Sequence, residues 1–598
     1  MTKTRDKREE EALGKAIDSK LLKRLLAYFK PYKYYIFLAT FISIFISALA
    51  AVRPRLTPIA IDDKIMNKDI PGLQIIVLIL LGTLIFQGIV QYGLSYLTSW
   101  IGQKIIFDLR KKVYKHTINL NLKFYDENPI GRLVTRVTND IDVLYEVFSS
   151  GIVTAFGDIF TIIWILCFMF TLDWKLTLIT LSVLPLLVIA TAIFRRKVRD
   201  SYRKIRLLIA KLNSFIQEHI TGISVVQFFV KEKDTIEDFE KINRAHTKQN
   251  IRGILYYAVF FPVVELIGAT AVGIIIWFGG GQVIQGIVSV GVIIAFLQYT
   301  EMFFRPIRDL SEKYNILQTA MASSERIFQL LDYQSPIIEP ETPVDISKGV
   351  KGKIEFKNVW FAYNDGDNVL KNVSFEINPG EKVAFVGATG AGKTTIISLI
   401  NRFYDVNNGE ILVDGINIKN LKQRELRKNI GVVLQDVFLF SGDIKTNIDL
   451  GYDLISLETI DESIRNTGLE DFINTLPEGI YHKVTERGTT LSTGQKQLIS
   501  FARALAFNPK ILILDEATSS VDTETELLIQ DAISKLIEGR TSIIIAHRLS
   551  TIQRCDKIIV MHKGEIKEMG THQELLEQNG LYYKLYQLQY KENISVNN

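Results

Sequence analysis

The sequence GATGAGKTT at residues 387–395 decides the fold of the C-terminal half of the chain. It matches the phosphate-binding pattern G-x-x-x-x-G-K-[ST] at every fixed position. The apolar run KVAFV before it predicts a buried strand, and TIISLINRFY after it predicts a helix. A glycine-rich turn between a strand and a helix presents backbone N–H groups to an anion. The stretch therefore predicts a nucleotide phosphate loop, the alternative being a plain turn from strand to helix.

Individual residues of this loop have predicted roles. Gly387, Gly390 and Gly392 allow the backbone to take positive φ and to approach phosphate oxygens closely. Lys393 is expected to bridge the β- and γ-phosphates, and the Thr394 hydroxyl is expected to bind Mg²⁺.

Two further apolar runs end in residues suited to phosphate chemistry. KILILDEATSSVD at residues 510–522 predicts a buried strand that delivers Asp515 beside the phosphate loop, where it would hold Mg²⁺ directly or through water. Glu516 follows and is placed to polarise a water for attack on the γ-phosphate. A further apolar strand is predicted in TSIIIAHRLST, and it ends at His547. His547 would contact the γ-phosphate and that water. The alternative is a structural role, which is usual for a lone histidine at a strand end.

Composition divides the chain into two kinds of region. Of 598 residues 47% are hydrophobic and 23% charged, and the mean hydropathy is +0.16. A membrane region joined to a soluble region gives this average. The net charge of +5 is small for this length and predicts no nucleic-acid partner. Cys167 and Cys555 imply no disulfide framework.

The N-terminal half contains six apolar segments long enough to cross a bilayer, since about 20 residues suffice. They lie near residues 34–60, 73–98, 149–171, 174–194, 254–279 and 284–304. The three short connections between them carry few basic residues, whereas the two connections of about fifty residues are rich in Lys and Arg. We therefore expect a multi-pass protein of the cell membrane whose N-terminus, long connections and C-terminal half face the cytoplasm.

The basic N-terminal segment and the long connections are predicted to be helical. Leucines in residues 20–29 recur at helical spacing, which favours either a helix lying flat on the membrane or an ordinary packing helix. The long connections would extend the membrane helices beyond the lipid. Each has a break, at FYDENPIGR and at HITGISVVQFF. These breaks would either contact a cytoplasmic domain or be simple hairpin tips.

Charged side chains at membrane depth are costly and mark candidate functional sites. Glu265 lies near the middle of the fifth predicted span, and Arg53 and Arg55 lie near the outer end of the first. Glu265 would either line a cavity for cationic or polar cargo or belong to an ion pair or water-facing gate.

Taken together, these motifs resemble an ATP-binding cassette (ABC) exporter half-transporter of the multidrug type, and the resemblance covers nearly the whole chain. It places the Q-loop at Gln435 and the signature LSTGQ at residues 491–495. It makes Glu516, His547 and Gln435 catalytic, and it assigns Mg²⁺ to Thr394, Gln435 and Asp515. The residues that it assigns to ATP are Tyr363 (adenine stacking), Gly387, Thr389, Gly390, Ala391, Gly392, Lys393, Thr394, Thr395, Ser492, Gly494, Gln495 and Asp522.

The resemblance also implies the architecture. The fold would be an α-helical membrane domain of six transmembrane helices with long cytoplasmic extensions, of the domain-swapped exporter type, fused to an α/β P-loop nucleotide-binding domain. The expected bounds are a cytoplasmic segment with an amphipathic elbow helix (1–33), the membrane domain (34–320), a linker (321–350), the nucleotide-binding domain (351–590) and a tail (591–598). The breaks at residues 125–130 and 220–228 would be coupling helices.

The resemblance further implies that two such chains hold two ATP molecules between them, each between one chain's phosphate loop and the other's signature. Thr493 stands where the family usually has the first glycine of LSGGQ. Heterodimeric members often combine an altered signature with an intact catalytic glutamate, so a heterodimer is expected, with a homodimer as the alternative. The expected function is ATP-driven export of hydrophobic or amphipathic drugs, lipids or peptides, as opposed to an ATP-gated or regulatory subunit without pumping.

Overall fold

The computed structural model describes residues 18–346, 349–364, 366–515, 523–545 and 549–596. The chain divides into two compact units. The first contains residues up to Asn119 together with Ile130–Tyr333, and the second contains Leu120–Pro129 together with the chain from Gln334 onward. The short segment Leu120–Pro129 is therefore part of the C-terminal unit, although it lies between two stretches of the first.

Long helices build the first unit. Up to residue 333 the helices are α1 (Ser19–Ala27), α2 (Lys33–Pro58), α3 (Ile70–Ile118), α4 (Leu122–Glu127), α5 (Ile130–Val137), α6 (Asn139–Glu146), α7 (Ile152–Leu172), α8 (Trp174–Leu181), α9 (Leu184–Thr221), α10 (Ile223–Phe228), α11 (Glu232–Ile274), α12 (Gly280–Ile284) and α13 (Val290–Asp332). π-Helical turns extend three of them, at Ile59–Ile65, Val147–Gly151 and Ile275–Gly279.

Five helical stretches in the described part are long and apolar enough to cross a membrane. They are Lys30–Ile65, Ile70–Ile118, Ile130–Leu172, Trp174–Thr221 and Glu232–Ile284. The predicted sixth span, 284–304, contains only the shorter apolar helix Val290–Phe303. Its residues Ala295, Phe296 and Tyr299 are fully buried. These three side chains therefore pack against protein and do not face lipid.

The expected helical connections and both breaks are confirmed. Helix α3 is 49 residues long, or about 70 Å at 1.5 Å per residue, more than twice the hydrocarbon thickness of a bilayer. It ends at Ile118, and the separate short helix α4 fills the first break. Helix α9 ends at Thr221, and α10 fills the second break before α11 begins.

Two sheets form the frame of the second unit. The strands are β1 (Ile354–Phe361), β2 (Leu370–Ile377), β3 (Lys382–Val386), β4 (Asn408–Val413), β5 (Ile416–Asn417), β6 (Ile430–Val433), β7 (Gly442–Asp443), β8 (Lys483–Val484), β9 (Ile511–Asp515), β10 (Thr541–Ile545), β11 (Lys557–His562) and β12 (Glu565–Gly570). The larger sheet has the order β12-β11-β3-β10-β9-β6, and the smaller has the order β2-β1-β4-β5. In the larger sheet only β12 is antiparallel to its neighbour.

Helices cover the larger sheet. The helices of this unit after residue 334 are α14 (Lys393–Ile400), α15 (Gln423–Lys428), α16 (Ile444–Asp449), α17 (Leu457–Asn466), α18 (Glu470–Asn474), α19 (Thr493–Ala506), α20 (Thr523–Ile537), α21 (Leu549–Ile552), α22 (His572–Glu577) and α23 (Leu581–Val596). Side chains of β3 alternate between two cores: Val383 and Phe385 join one, and Ala384 and Val386 join the other. Because both faces of the sheet are buried, the strands are continuous apolar runs.

Candidate functional site

The phosphate loop connects β3 to α14, as the sequence predicts. Gly392 directly precedes α14 with φ of 103°, a backbone conformation that side chains disfavour. A Cβ added to Gly387 would lie 2.2 Å from the carbonyl oxygen of Met561 in β11. Glycine is therefore required at position 392 by its backbone conformation. It is required at position 387 by the close approach of strand β11.

Lys393 is folded back over this loop. Its Nζ donates to the carbonyl oxygens of Gly387 at 2.6 Å and Ala388 at 3.2 Å, and the residue is only 8% exposed. Burial lowers the pKa of the Lys393 ammonium, an effect that the negative charge of Asp515 opposes. The cation is thus held inside the concave side of the loop, and a phosphate oxygen arriving there would replace the two carbonyl acceptors.

The two threonines after Lys393 have different environments. Thr394 is exposed on the first turn of α14. Thr395 is buried, and its hydroxyl lies 3.2 Å from the Tyr363 hydroxyl. The Tyr363 ring contacts Phe361 and Tyr404 edge to face, with ring centroids 4.8 and 5.0 Å apart. Tyr363 is therefore fixed beside the start of α14.

The register of the larger sheet brings Asp515 to the same edge. Ile545 of β10 pairs with Phe385 of β3 on one side and with Asp515 of β9 on the other. The carboxyl ends of these parallel strands are therefore level, and the phosphate loop begins at that edge. Gln435 follows β6, which pairs with β9 through Val433 and Leu514, and it is exposed. The structure thus brings Asp515, Gln435 and the phosphate loop to one end of the sheet.

The remaining loop residues also lie at this edge. Thr389 and Gly390 are exposed at the tip of the loop, whereas Ala391 is buried beneath it. The predicted residues Glu516, Asp522 and His547 lie outside the described residues.

The signature residues begin a different helix, α19. The Ser492 hydroxyl accepts from the Gln495 N–H at 3.2 Å, and the Gln495 side chain accepts from the Ser492 N–H at 2.9 Å. This capping box fixes the N-terminus of α19. Gly494 is buried, whereas Ser492 and Thr493 are exposed. Among the described residues neither Ser492 nor Gln495 hydrogen-bonds to the phosphate loop; the two form hydrogen bonds to each other.

Thr493 is the first residue of α19 and has helical backbone geometry, not the positive φ that would demand glycine. Its side chain is exposed at the start of this helix. The departure from LSGGQ therefore places no strain on the backbone within the chain.

The charged residues predicted at membrane depth are not gathered into one site. Glu265 is exposed on α11. Arg53 donates from Nη2 to the Gln87 side chain at 2.7 Å, which joins α2 to α3. Arg55 is half-buried on α2.

Sequence analysis missed an ion pair between Asp158 of α7 and Lys313 of α13. Each side chain is only 19% exposed. The signal was present, because Asp158 is an acid within an apolar span just as Glu265 is. Its partner lies 155 residues away, and nothing in the sequence pattern indicates that pairing.

A second missed contact involves the first break. Tyr404 follows α14, and its hydroxyl donates to the carboxylate of Asp126 in α4. Both residues belong to the second unit. Burial raises the pKa of the Tyr404 hydroxyl, and the hydrogen bond to Asp126 adds to this effect. The predicted contact between this break and a cytoplasmic domain is therefore present.

Comparison with known proteins agrees with this arrangement. Residues 36–307 match the family model described as the ABC transporter transmembrane region, and residues 370–519 match the model described as ABC transporter. The chain is 39% identical to YknV, an uncharacterised ABC transporter ATP-binding protein of Bacillus subtilis (strain 168), over 97% of this chain and 96% of the relative. It is 37% identical to an ATP-dependent lipid A-core flippase of Syntrophus aciditrophicus (strain SB), over 96% of this chain and 95% of the relative.

Proposed function

This chain belongs to the ABC transporter family as an exporter half-transporter, and we propose that it works as one half of a dimer that holds ATP between its two nucleotide-binding units. It is a multi-pass membrane protein whose ATP-binding unit is cytoplasmic. It binds and hydrolyses ATP to export hydrophobic compounds. The observation that carries the dimer proposal is the exposed N-terminus of α19, where Ser492 and Gln495 hydrogen-bond to each other and, among the described residues, not to the phosphate loop.

The phosphate-loop half of the site holds the nucleotide through residues of this chain. Lys393 exchanges its two carbonyl acceptors for β- and γ-phosphate oxygens, and backbone N–H groups of the loop donate to the same phosphates. The residues assigned to ATP by this half are Tyr363, which stacks on adenine, and Gly387, Thr389, Gly390, Ala391, Gly392, Lys393, Thr394 and Thr395.

Residues at the sheet edge fit a magnesium ion. The Thr394 hydroxyl is exposed, unlike that of Thr395, and Asp515 and Gln435 supply oxygen atoms at the same edge. Oxygen ligands are those that Mg²⁺ prefers, and the ion would neutralise charge on the phosphates. Glu516 orients or deprotonates the attacking water, and His547 contacts the γ-phosphate.

The signature half is supplied by the second subunit. Ser492, Gly494 and Gln495 begin α19, whose N-terminus carries partial positive charge suited to a γ-phosphate. The family resemblance assigns Asp522 to the D-loop and to ATP binding. Because Thr493 is exposed at this N-terminus, its branched side chain would meet the partner's nucleotide without disturbing its own helix.

We favour a heterodimer on this basis. The phosphate loop and Glu516 of this chain would complete a competent site with an intact LSGGQ in the partner, while Thr493 would face a degenerate site. The alternative is a homodimer that tolerates LSTGQ. The test is to purify this chain alone and measure cargo-stimulated ATPase: weak activity that a partner half-transporter restores supports the heterodimer, and full activity as a homodimer overturns it.

For the membrane unit, we propose six crossings with exchanged helices. The buried apolar helix Val290–Phe303 provides the sixth crossing because protein covers it. Helices α9 and α11 hydrogen-bond to each other through Ser201 and Gln249 and would pack against the second subunit. The domain limits follow as a membrane domain at 34–320, a linker at 321–350 and a nucleotide-binding domain at 351–590, with the elbow segment before and the tail after.

Movement is relayed through the short helices at the breaks. Helix α4 is held by Tyr404 of the nucleotide-binding unit, and α10 presents exposed Ile223, Val225 and Phe228 for an equivalent contact. ATP binds the closed pair of units more tightly than the open pair, and that difference shifts the membrane helices between inward- and outward-open forms.

The cargo would be a drug, a lipid or a peptide of hydrophobic or amphipathic character. The relatives' names include a lipid flippase and a candidate multidrug export ATP-binding/permease protein of Staphylococcus aureus (strain NCTC 8325 / PS 47), to which the chain is 38% identical over 95% of its length. A non-pumping gate is the second candidate. In sealed vesicles a pump accumulates cargo against its gradient, whereas a gate only lets an existing gradient collapse.

A further inference from the structure

Helices α9 and α11 enclose an open groove of about 730 Å³ on one side of the seam between them. Its lining combines apolar side chains, including Leu207 and Leu208, with four cationic residues. The cations are Lys204 and Lys211 on α9 and Lys248 and Arg252 on α11. The volume lies within the usual range of about 300–1,000 Å³ for small-molecule sites.

The four cations have no carboxylate partner. Within the described ranges none of them takes part in an ion pair, and the groove lining contains no Asp or Glu. The basic residue Lys241, by contrast, pairs with Asp238 on the same helix at 2.7 Å. The four cations are exposed, so an anion that enters the groove meets a net positive charge.

Packing above and below the cations defines the groove. On the membrane side, Gln249 donates to the Ser201 hydroxyl at 2.9 Å, and Gly253 lets the helices approach, since a Cβ there would lie 3.4 Å from that hydroxyl. At the other end, the rings of Phe215 and Phe239 lie 6.3 Å apart. These contacts hold the two helices side by side along the whole length of the groove.

The groove adjoins the bilayer. Arg252 lies two residues before 254, where the apolar run of the fifth predicted span begins. Just beyond it, Phe194 of α9 stacks on Phe260 of α11 with ring centroids 3.9 Å apart, and Tyr257 contacts Phe194 at 5.0 Å. Arg252, at the membrane end of the groove, is therefore at headgroup depth, and the aromatic side chains beyond it mark the start of the hydrocarbon.

From these observations we propose that the groove binds the headgroup of an anionic phospholipid of the cytoplasmic leaflet. Lys204, Lys248 and Arg252 hold the phosphate, and the rings of Phe194, Tyr257 and Phe260 lie on the membrane side, where the acyl chains begin. The cytoplasmic leaflet is rich in anionic lipid and attracts basic segments beside membrane helices. This site is separate from the nucleotide site, and its occupation does not depend on ATP turnover.

The test uses the full-length protein in nanodiscs of phosphatidylcholine that contain photoactivatable phosphatidylglycerol. After illumination, labelled peptides are identified by mass spectrometry. We expect labelling of residues 204–214 and 245–252, and much weaker labelling there by photoactivatable phosphatidylcholine. Equal labelling of these residues by the two lipids, or no labelling of them by photoactivatable phosphatidylglycerol, would overturn the proposal.

Substitutions give a second readout. The triple variant Lys204→Gln, Lys248→Gln and Arg252→Gln should reduce phosphatidylglycerol labelling of the groove at least about tenfold, because each cation near an anionic surface contributes to attraction. The matched control Arg203→Gln, Arg206→Gln and Lys233→Gln removes three cations of α9 and α11 that do not line the groove, and it should retain labelling. If the triple variant is labelled as strongly as the control, the site is wrong. The wild-type comparison of the two lipids decides the question even if the triple variant misfolds.

Discussion

Lys393 already has the buried position in the phosphate loop from which its ammonium group can contact a phosphate. It is buried with its charge directed at two loop carbonyls, so the cost of its desolvation has already been met by folding. A hydrogen bond to a charged group contributes about 1.5–3 kcal/mol.

We expect Lys393→Met to weaken ATP binding by about 10- to 100-fold, because at least one such charged bond to phosphate is lost. Binding of a fluorescent ATP analogue to the full-length protein measures this. The control is Lys422→Met, an exposed lysine before α15, which should bind as wild type. Unchanged affinity in Lys393→Met would contradict the assignment.

The adjacent threonines provide a sharper comparison. Thr394→Ala should raise the Mg²⁺ concentration for half-maximal ATPase about tenfold or more, because an exposed hydroxyl ligand is removed. Thr395→Val should leave that concentration unchanged, since its hydroxyl is engaged by Tyr363, and should cost about 1 kcal/mol of unfolding free energy. Magnesium titrations and thermal unfolding measure the two effects. The same Mg²⁺ requirement in both variants would mean that the exposed hydroxyl has no special role.

For individual residues, the sequence predicts the contacts that are made between residues close together in the chain. The phosphate loop and the capping pair Ser492 and Gln495 lie within a few residues of one another, so their geometry follows from chain connectivity. Asp158 and Lys313 are far apart in sequence, and their pairing depends on how α7 packs against α13. The helical backbone at Thr493 was also not predictable, because a glycine pattern indicates close approach to phosphate without specifying φ.

Among the elements, α4 is a short helix that Tyr404 contacts through Asp126. Tyr404 donates to Asp126 from a hydroxyl whose pKa burial raises, so it stays protonated at neutral pH. Removing this hydroxyl should loosen α4 without altering the phosphate loop.

We expect Tyr404→Phe to preserve ATP affinity and to reduce the stimulation of ATPase by cargo several-fold. The measurement compares basal and cargo-stimulated hydrolysis in proteoliposomes. The exposed Tyr452 provides the control, and Tyr452→Phe should behave as wild type. Full stimulation in Tyr404→Phe would exclude this tether from the relay.

The π-helical turn Ile59–Ile65 is a second element with a specific contact. Asp62 accepts from the Ser289 hydroxyl and, at 3.0 Å, from the Gly291 N–H at the start of α13. A Cβ on Gly291 would lie 2.6 Å from the Cα of Pro58. This contact holds the ends of α2 and α13 together on the side predicted to face outward.

Asp62→Asn should therefore favour the outward-open form by about tenfold, because it weakens two hydrogen bonds to a carboxylate. Cysteines replacing Thr57 and Gln298, whose side chains lie 3.1 Å apart, should then form a disulfide more slowly in a background without Cys167 and Cys555. Asp63→Asn is the control. Equal cross-linking rates in the two variants would show that Asp62 does not hold this end closed.

The boundaries of helices were predicted best where contact with lipid or water alone determines the pattern of apolar residues. Helix α3 and its termination before α4 follow from apolar length and the FYDENPIGR break. At the predicted sixth span the described residues contain only the shorter apolar helix Val290–Phe303, whose Ala295, Phe296 and Tyr299 are buried. Hydropathy detects contact with lipid, so it does not determine the length of a helix that protein covers.

For the whole molecule, the two units differ in the physics that shapes them. Lipid selects long apolar helices in the first, and a doubly covered parallel sheet forms the second. Their division was visible in the composition, but the inclusion of Leu120–Pro129 in the second unit was not. One chain also does not identify a partner subunit. Thr493 is exposed at the start of α19, and its exposure does not distinguish a second copy from a different subunit.

The central claim is that ATP hydrolysis drives export, and transport by Glu516→Gln in sealed proteoliposomes tests it most directly. The purified variant, alone or with the proposed partner half-transporter, should bind ATP as tightly as wild type while losing at least about 100-fold of hydrolysis, since the residue proposed to activate water is replaced. Accumulation of cargo against its gradient should be lost with hydrolysis. Undiminished accumulation by a variant that no longer hydrolyses ATP would contradict the account.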